Sequence, residues 1–293
     1  MFTFGTDPEF FLKKNDIILN AIDILEGDPD HRLKIDKYEL YHDNVLAEIA
    51  VPPSHSREEA IQILTKGMNI LQEVVNPCEI SFLAYYKFNS RYLRSFEAKL
   101  AACNPDWCAY QIEMKRPEDT ELKYGKWVFT TNARTAGGHI HLGIQDLKSE
   151  LEMCKLVRLL DIFLGVPSVI FDHSNETKNR RKIYGQPGRF RVKDYGIEYR
   201  TLGNWWLEKE EYIGLVYDLC ENAIDIWRQK ASDFLEDDLN SQRKFKVKYN
   251  QSEIIDTIKS ANPEKARTII KRYLDYYPSK LQNSLLSGKI CVE

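Results

Sequence analysis

The chain is 293 residues long, with a net charge of −3, 43% hydrophobic and 29% charged residues. That length can bury a substantial core in one or two domains, and the slight acidity argues against nucleic-acid binding by bulk electrostatics. No apolar run approaches the roughly 20 residues needed to span a bilayer. The N-terminus MFTFGTDPEFF has acids where a signal peptide needs a basic and then an apolar stretch. A soluble, cytoplasmic protein is expected.

The first fifty residues predict two β-hairpins. PEFFLKK and IILNA flank Asn15-Asp16, and KYELYH and VLAEIAV flank Asp43-Asn44, pairs that favour turns. Ser56 then opens a helix, with Glu59 completing a capping box and Ile61, Leu64, Met68 and Leu71 keeping a helical period to about Val75. Residues 79–88 predict a strand, 126–145 two more, 147–164 a helix and 196–202 a short strand. From about 208 the chain turns mainly helical: 208–235, 251–260, and a helix opened by Asn262-Pro263. Antiparallel strands mixed with helices, without βα alternation, make this an α+β chain. It is read as one domain over 1–293 whose part from about 208 to 293 is mainly helical. Six scattered cysteines, none in a C-x-x-C pair, are read as reduced and mostly buried, with Cys103 and Cys108 the nearest pair.

Neither of the two common glycine-rich phosphate loops occurs. The chemistry lies in short alternating motifs instead. Asp7 and Glu9 in GTDPEFF, His139 and His141 in GGHIHLG, and Glu198 and Arg200 in GIEYR each stand two residues apart, on one side of an extended strand. Glu48 sits inside the apolar run VLAEIAV, where an unpaired carboxylate would be costly. Carboxylates gathered on one sheet face repel one another unless cations lie between them, and oxygen-rich sites with an imidazole suit Mg²⁺ or Mn²⁺. Taken singly, each motif is also what a salt bridge, a turn or a structural histidine pair would leave. Arg180, Arg181, Lys182, Arg189 and Arg191 crowd a stretch whose Gly185, Pro187 and Gly188 suggest a loop. A basic loop of that kind could meet the charge of a triphosphate.

In their order, these pieces resemble the glutamine synthetase and glutamate–cysteine ligase superfamily. In wording they resemble its phage-type COOH·NH2 ligases, the type 2 amidoligases. GTDPEFFL, HDNVLAEIAVPPS, CNPDWCAY, RTAGGHIHLG and RRKIYGQPGRFRVKDYGIEYRTLGNWWL carry the likeness, over roughly residues 2–207. It implies a glutamine-synthetase-like domain in which a curved antiparallel sheet forms a nucleotide funnel. It implies ATP as co-substrate, two or more Mg²⁺ or Mn²⁺ ions, and a host-cytoplasm setting if the gene is phage-borne. By position, Glu9 and Glu48, with Asp43 as a third, resemble ligands of a metal near the acyl substrate. Asp7, His139 and Glu198 resemble ligands of a metal on the ATP phosphates, although glutamine synthetases usually carry glutamate where Asp7 stands. His141 would face the nucleotide or the carboxylate. Arg200 would meet the transferred phosphoryl group, Arg189, Arg191 and Lys182 the phosphates, and Arg134 the substrate carboxylate.

The implied reaction makes an amide through an acyl phosphate, with Arg200, Glu48 and His141 as catalytic residues. The carboxylate and amine could be small molecules or peptides, and homo-oligomer formation is left open. A guanidino or carboxylate kinase of the same fold, a metal-dependent hydrolase and a non-catalytic binding protein are the alternatives.

Overall fold

The computed structural model describes residues 1–101, 106–115, 119–172, 174–237 and 245–290. Cys103 and Cys291 lie outside the described residues; Cys78, Cys108, Cys154 and Cys220 are free and buried.

Two six-stranded antiparallel sheets form the frame, and the assembly curls into a half-barrel. The first runs Thr3–Gly5, Ile140–Gly143, Gly196–Tyr199, Arg189–Lys193, Asp106–Cys108, Glu113–Lys115. The second runs Ile17–Leu19, Glu9–Lys14, Leu46–Ala50, Tyr38–Asp43, Leu33–Ile35, with Glu79–Ser81 also paired to Glu9–Lys14. Residues 3–9 stitch the two together. On one side Phe4 exchanges backbone hydrogen bonds with Ser54, and the carbonyls of Thr6 and Pro8 accept from Val51 and Ile49. On the other side the Glu9 amide donates to the Gly137 carbonyl at 2.9 Å.

The expected hairpins are present, with Asn15, Asp16 and Asn44 at positive φ, a conformation that Asn and Asp tolerate in tight turns. Strand alternation then sorts the side chains. Phe10, Ala47, Ile49, Ile140, Leu142, Phe190, Ile197 and Tyr199 belong to the apolar core. The residues between them, among them Glu9, Glu48, His141, Arg189, Arg191 and Glu198, are polar and fall on the opposite side of their strands. Apolar helices complete the core: Arg57–Val75, Glu150–Leu160 continued by a single π-turn at Asp161–Gly165 and by Val166–Phe171, and the long Glu210–Phe234.

Most element boundaries agree with the sequence to within a few residues, and the differences have physical causes. Residues 79–88 form two short strands, Glu79–Ser81 and Tyr85–Lys87, which pair with different partners. The box at Ser56 is displaced: its Oγ accepts from Glu59 N at 3.2 Å, but Glu59 Oε2 accepts from the amide of His55, one residue ahead of the cap. A short hairpin, Leu235–Asp237 with Phe245–Val247, follows the long helix where continuous helix and loop were expected. The basic run requires the largest correction. Asn175–Ile183 is a helix capped by Ser174, so the loop shrinks to residues 184–188. Arg and Lys are good helix formers, and Gly185 at φ 67° is where the helical path ends.

Candidate active site

Across the junction of the sheets, the strands carry their charged residues into register. Glu9 stands opposite Glu48, Tyr41 opposite Glu48, His141 opposite Glu198, and Arg191 opposite Glu198. Among the described residues, two groups of three can each bring ligand atoms within 4.8 Å of one another: Glu9, Asp43 and Glu48, and Asp7, His141 and Glu198. Glu9, Glu48 and Glu198 are buried.

The local backbone explains how Glu9 is held. Its Oε2 accepts from the Gly137 amide at 2.6 Å, and its carbonyl accepts from Asn204 Nδ2 at 2.8 Å. A side chain on Gly137 would stand 2.4 Å from His139 Nε2, and one on Gly138 would meet the Gly203 carbonyl at 2.4 Å. The glycine pair therefore lets the backbone approach both Glu9 and the Asn204 turn. Glu48 accepts a hydrogen bond from the Tyr41 hydroxyl.

Unneutralised, this arrangement penalises charge. Burial, reinforced by Asp43, pushes the Glu9 carboxyl up to about 8, and burial with some offset from Arg191 raises Asp43 to about 6. Glu48 is driven well above the usual carboxylate range by burial and by Asp7, Asp43 and Glu9 around it. Asp7 goes the other way. Burial opposes its ionisation, but His141 and His139 together hold it well below its usual value. Burial, with Arg200 adding to it, lowers His139 to about 4, so this imidazole is neutral and fit to donate a lone pair.

The donor set fits divalent metal. Three carboxylates around one point and a carboxylate–imidazole–carboxylate group around another are hard-oxygen and borderline ligands suited to Mg²⁺ or Mn²⁺. A cation would offset the burial and the mutual repulsion that raise the Glu9 and Glu48 carboxyls.

Both histidines stand at the Asp7–Glu198 pair. His141 completes the Asp7–Glu198 group, 3.0 Å from Asp7 Oδ1, with Tyr195 hydroxyl 2.8 Å from its other nitrogen. His139 stands beside that group, its Nδ1 3.5 Å from Glu198 and 3.7 Å from Asp7, while its Nε2 meets the Tyr184 hydroxyl at 3.1 Å.

Cations surround Glu198. Lys193 Nζ lies 2.8 Å from its Oε2 and Arg191 3.7 Å from its Oε1, and Arg200 is paired with it directly. Arg200 also contacts Tyr184 and lies 3.5 Å from Asp106, which holds Arg189 at 2.6 Å. The remaining basic residues are placed otherwise. Arg180 donates to the carbonyls of Arg200, Thr201 and Leu202, and Arg181 to Ile258 and Ser168, both fully buried. Lys182 is exposed on its helix and donates to Asn179, so the structure does not bring it to the cluster as the sequence reading expected. Arg134 lines a small cavity with Glu9 and Asp43, but its guanidinium donates to Asn44 and to the carbonyls of Ala98, Thr131 and Ala133. It braces the Asp43-Asn44 turn, a task that the substrate-carboxylate reading did not anticipate.

Sequence reasoning missed five members: Tyr41, Asp106, Tyr184, Lys193 and Tyr195. Asp106 lay within the quoted CNPDWCAY, and Lys193 two residues beyond Arg191 on the same strand side; period-two alternation could have found Lys193. Tyr41, Tyr184 and Tyr195 carried no signal, because tyrosine in a strand or loop is usually packing.

Residues 115–259 match the family model described as phage phiEco32-like COOH.NH2 ligase-type 2. This is the family that the motifs resemble. The span matched to the COOH·NH2 ligases contains Arg134, His139, His141, Arg189, Arg191, Glu198 and Arg200, while Asp7, Glu9, Asp43 and Glu48 precede it. The family's name denotes a ligase that joins a carboxyl group to an amine. No curated protein matches the chain significantly. Among the described residues, no helix is long and apolar enough to cross a membrane.

Proposed function

We propose that this chain is an ATP-dependent carboxylate–amine ligase with a glutamine-synthetase-like catalytic domain. The observation that carries the reading is the pair of ligand groups, Glu9–Asp43–Glu48 and Asp7–His141–Glu198, set beside Arg191, Lys193 and Arg200. A site for hydrolysis alone would not need that density of cations next to two anionic ligand groups. Phosphoryl transfer does, because positioning and charge neutralisation supply nearly all of its catalysis.

In the reaction, a carboxylate oxygen of the substrate attacks the γ-phosphorus of ATP and ADP leaves. The amine nitrogen then attacks the acyl carbon, phosphate departs taking up the proton that the nitrogen loses, and the amide remains. The two ligand groups would hold divalent ions, which supply charge neutralisation for the phosphates when bound. Glu9 and Glu48 are positioned to do so by the Gly137 amide and the Tyr41 hydroxyl. His139 would support the second group from its flank. Arg200 lies against Glu198 here, and metal bound at Glu198 would leave its planar fork for the transferred group, with Tyr184 and Asp106 fixing its direction.

The test is a panel of carboxylates and amines incubated with ATP and Mg²⁺ or Mn²⁺, followed by chromatography of ADP and of the organic product. An amide made in step with ADP supports the reading. A stable phosphorylated product with no amide would make the chain a kinase, and product release without nucleotide would make it a hydrolase.

A further inference from the structure

A cavity of about 610 Å³ opens beside the carboxylate group Glu9–Asp43–Glu48, and no step described so far uses it. It reaches that group through Asp43, which lines it. A smaller void of about 30 Å³, lined by Glu9 and Tyr184, shares Asp43, Asn44 and Leu100 with the larger cavity and so links it to the Arg200 side of the site.

Three properties of the wall point to its occupant. Asp28, Asp30, Asp43 and Glu97 line it against one lysine, Lys126. Two of its aromatic side chains, Phe96 and Trp127, lie at least partly open; Phe96 is 43% exposed and packs edge-on, at 6.0 Å, against Tyr124, itself 93% exposed. Exposed rings beside carboxylates are what an organic cation uses, through its charge and through the ring faces. His42, also in the wall, is 6% exposed and 3.6 Å from Glu97, and its Nδ1 has no hydrogen-bond partner among the described residues. A buried polar atom left unmet marks a place where a ligand or an ordered water belongs.

The chemistry narrows further. A carboxylate substrate would be repelled here and is better met by Arg191 and Arg200. Ammonia would need no cavity of this size. The cavity carboxylates form no ligand group for a further metal, since the two groups already described are the ones found among the described residues. We infer that the amine used by this enzyme is an organic amine carrying a second positive charge, a di- or polyamine, whose distal ammonium sits among Asp30, Glu97 and Trp127 while its reacting nitrogen lies toward Asp43. The inference rests on the ligase reading of the adjoining site.

A matched pair of probes tests it: 1,4-diaminobutane, with its second ammonium, and 1-aminobutane, of the same carbon length without it. Calorimetry on the full chain with saturating Mg²⁺ is run with and without a non-hydrolysable ATP analogue. The diamine should bind at least tenfold more tightly than the monoamine. The Asp30→Asn/Glu97→Gln double variant should lose about tenfold for the diamine while its affinity for the ATP analogue and its melting temperature stay unchanged. An Asp23→Asn/Glu26→Gln variant, which makes the same change of net charge at exposed positions elsewhere, should bind the diamine as the parent does. Equal binding of the two probes, or equal loss in both double variants, overturns the inference. Failure to bind the ATP analogue would instead count against the ligase reading, and the amine titrations with Mg²⁺ alone would still report on the cavity.

Discussion

Glu9 and Glu48 face each other across neighbouring antiparallel strands, and each is less than a tenth exposed. Like charges directly opposite on a sheet are destabilising, yet the chain adds Asp43 to the same group. The arrangement is stable only with protons or cations between the carboxylates. Glu48→Gln should therefore keep or raise the melting temperature in EDTA and lose the gain that Mg²⁺ gives the parent protein. Turnover should fall with it, as at sites that trade stability for chemistry. Melting curves with and without Mg²⁺ decide. An equal Mg²⁺-dependent rise in both proteins would make Glu48 an ordinary core acid.

Arg200 connects the second ligand group to Asp106 and Tyr184. If it serves the transferred phosphoryl group, Arg200→Ala should cost roughly 3–4 kcal/mol of transition-state stabilisation, about 10²–10³ in rate. ATP affinity should change much less. Lysine should rescue poorly, since it lacks the planar fork. Tyr184→Phe, which removes the hydroxyl shared by Arg200 and His139, should lose about tenfold, in keeping with roughly 1.5 kcal/mol for one hydrogen bond to a charged group. Rates of ADP formation beside a melt of each variant provide the check. Normal turnover in a less stable Arg200→Ala would leave the pair with Glu198 as a structural ion pair.

Much of this site was legible because strand alternation is a strict rule. His141 within GGHIHLG and Glu198 within GIEYR occupy the polar half of a strand whose other half is apolar core, and Glu48 within VLAEIAV is the one charged residue between the core residues Ala47 and Ile49. The sequence could not show that both histidines of the pair reach Asp7, at 3.0 Å from His141 and 3.7 Å from His139. That depends on how residues 137–139 bend between Glu9 and Gly203, a long-range packing matter. Nor could charge density separate the basic residues by task. Arg180 and Arg181 look like their neighbours in sequence, but burial has turned both into carbonyl clamps.

Arg180 and Lys182, two residues apart on one helix, should therefore behave oppositely. Removing the Arg180 guanidinium takes a buried donor from the carbonyls of Arg200, Thr201 and Leu202, of which Leu202 keeps the Gly138 amide. Arg180→Ala should cost roughly 3 kcal/mol or more of folding stability. Lys182→Ala should stay within about 0.5 kcal/mol of the parent and turn over normally, as exposed positions usually do. Denaturant unfolding and a rate assay test both. A rate loss in folded Lys182→Ala would return that residue to the phosphate site.

Asp161 offers a test of how the helical layer supports the strand that carries Glu198 and leads into Arg200. It sits fully buried in the π-turn and accepts from the Tyr199 hydroxyl at 2.6 Å, directly behind that strand. Burial raises its carboxyl to about 7, even though the Tyr199 bond pulls the other way. The unfolded chain would have an ordinary value near ~3.9. Between those values the folded protein holds a proton that the unfolded chain has lost. This group's contribution is thus fully present below about pH 4 and fades as pH rises through 7. Asn in its place stays neutral throughout and keeps the oxygen that Tyr199 needs. The melting temperature of Asp161→Asn relative to the parent should therefore climb as pH is raised from 5 through about 7 and level off by pH 9, whatever its offset at pH 5. The difference between the two proteins removes the slopes due to Glu9, Asp43 and Glu48, which both share. A difference that stays flat across that range would mean Asp161 is already ionised in the folded state at pH 5, held there by its hydroxyl donors.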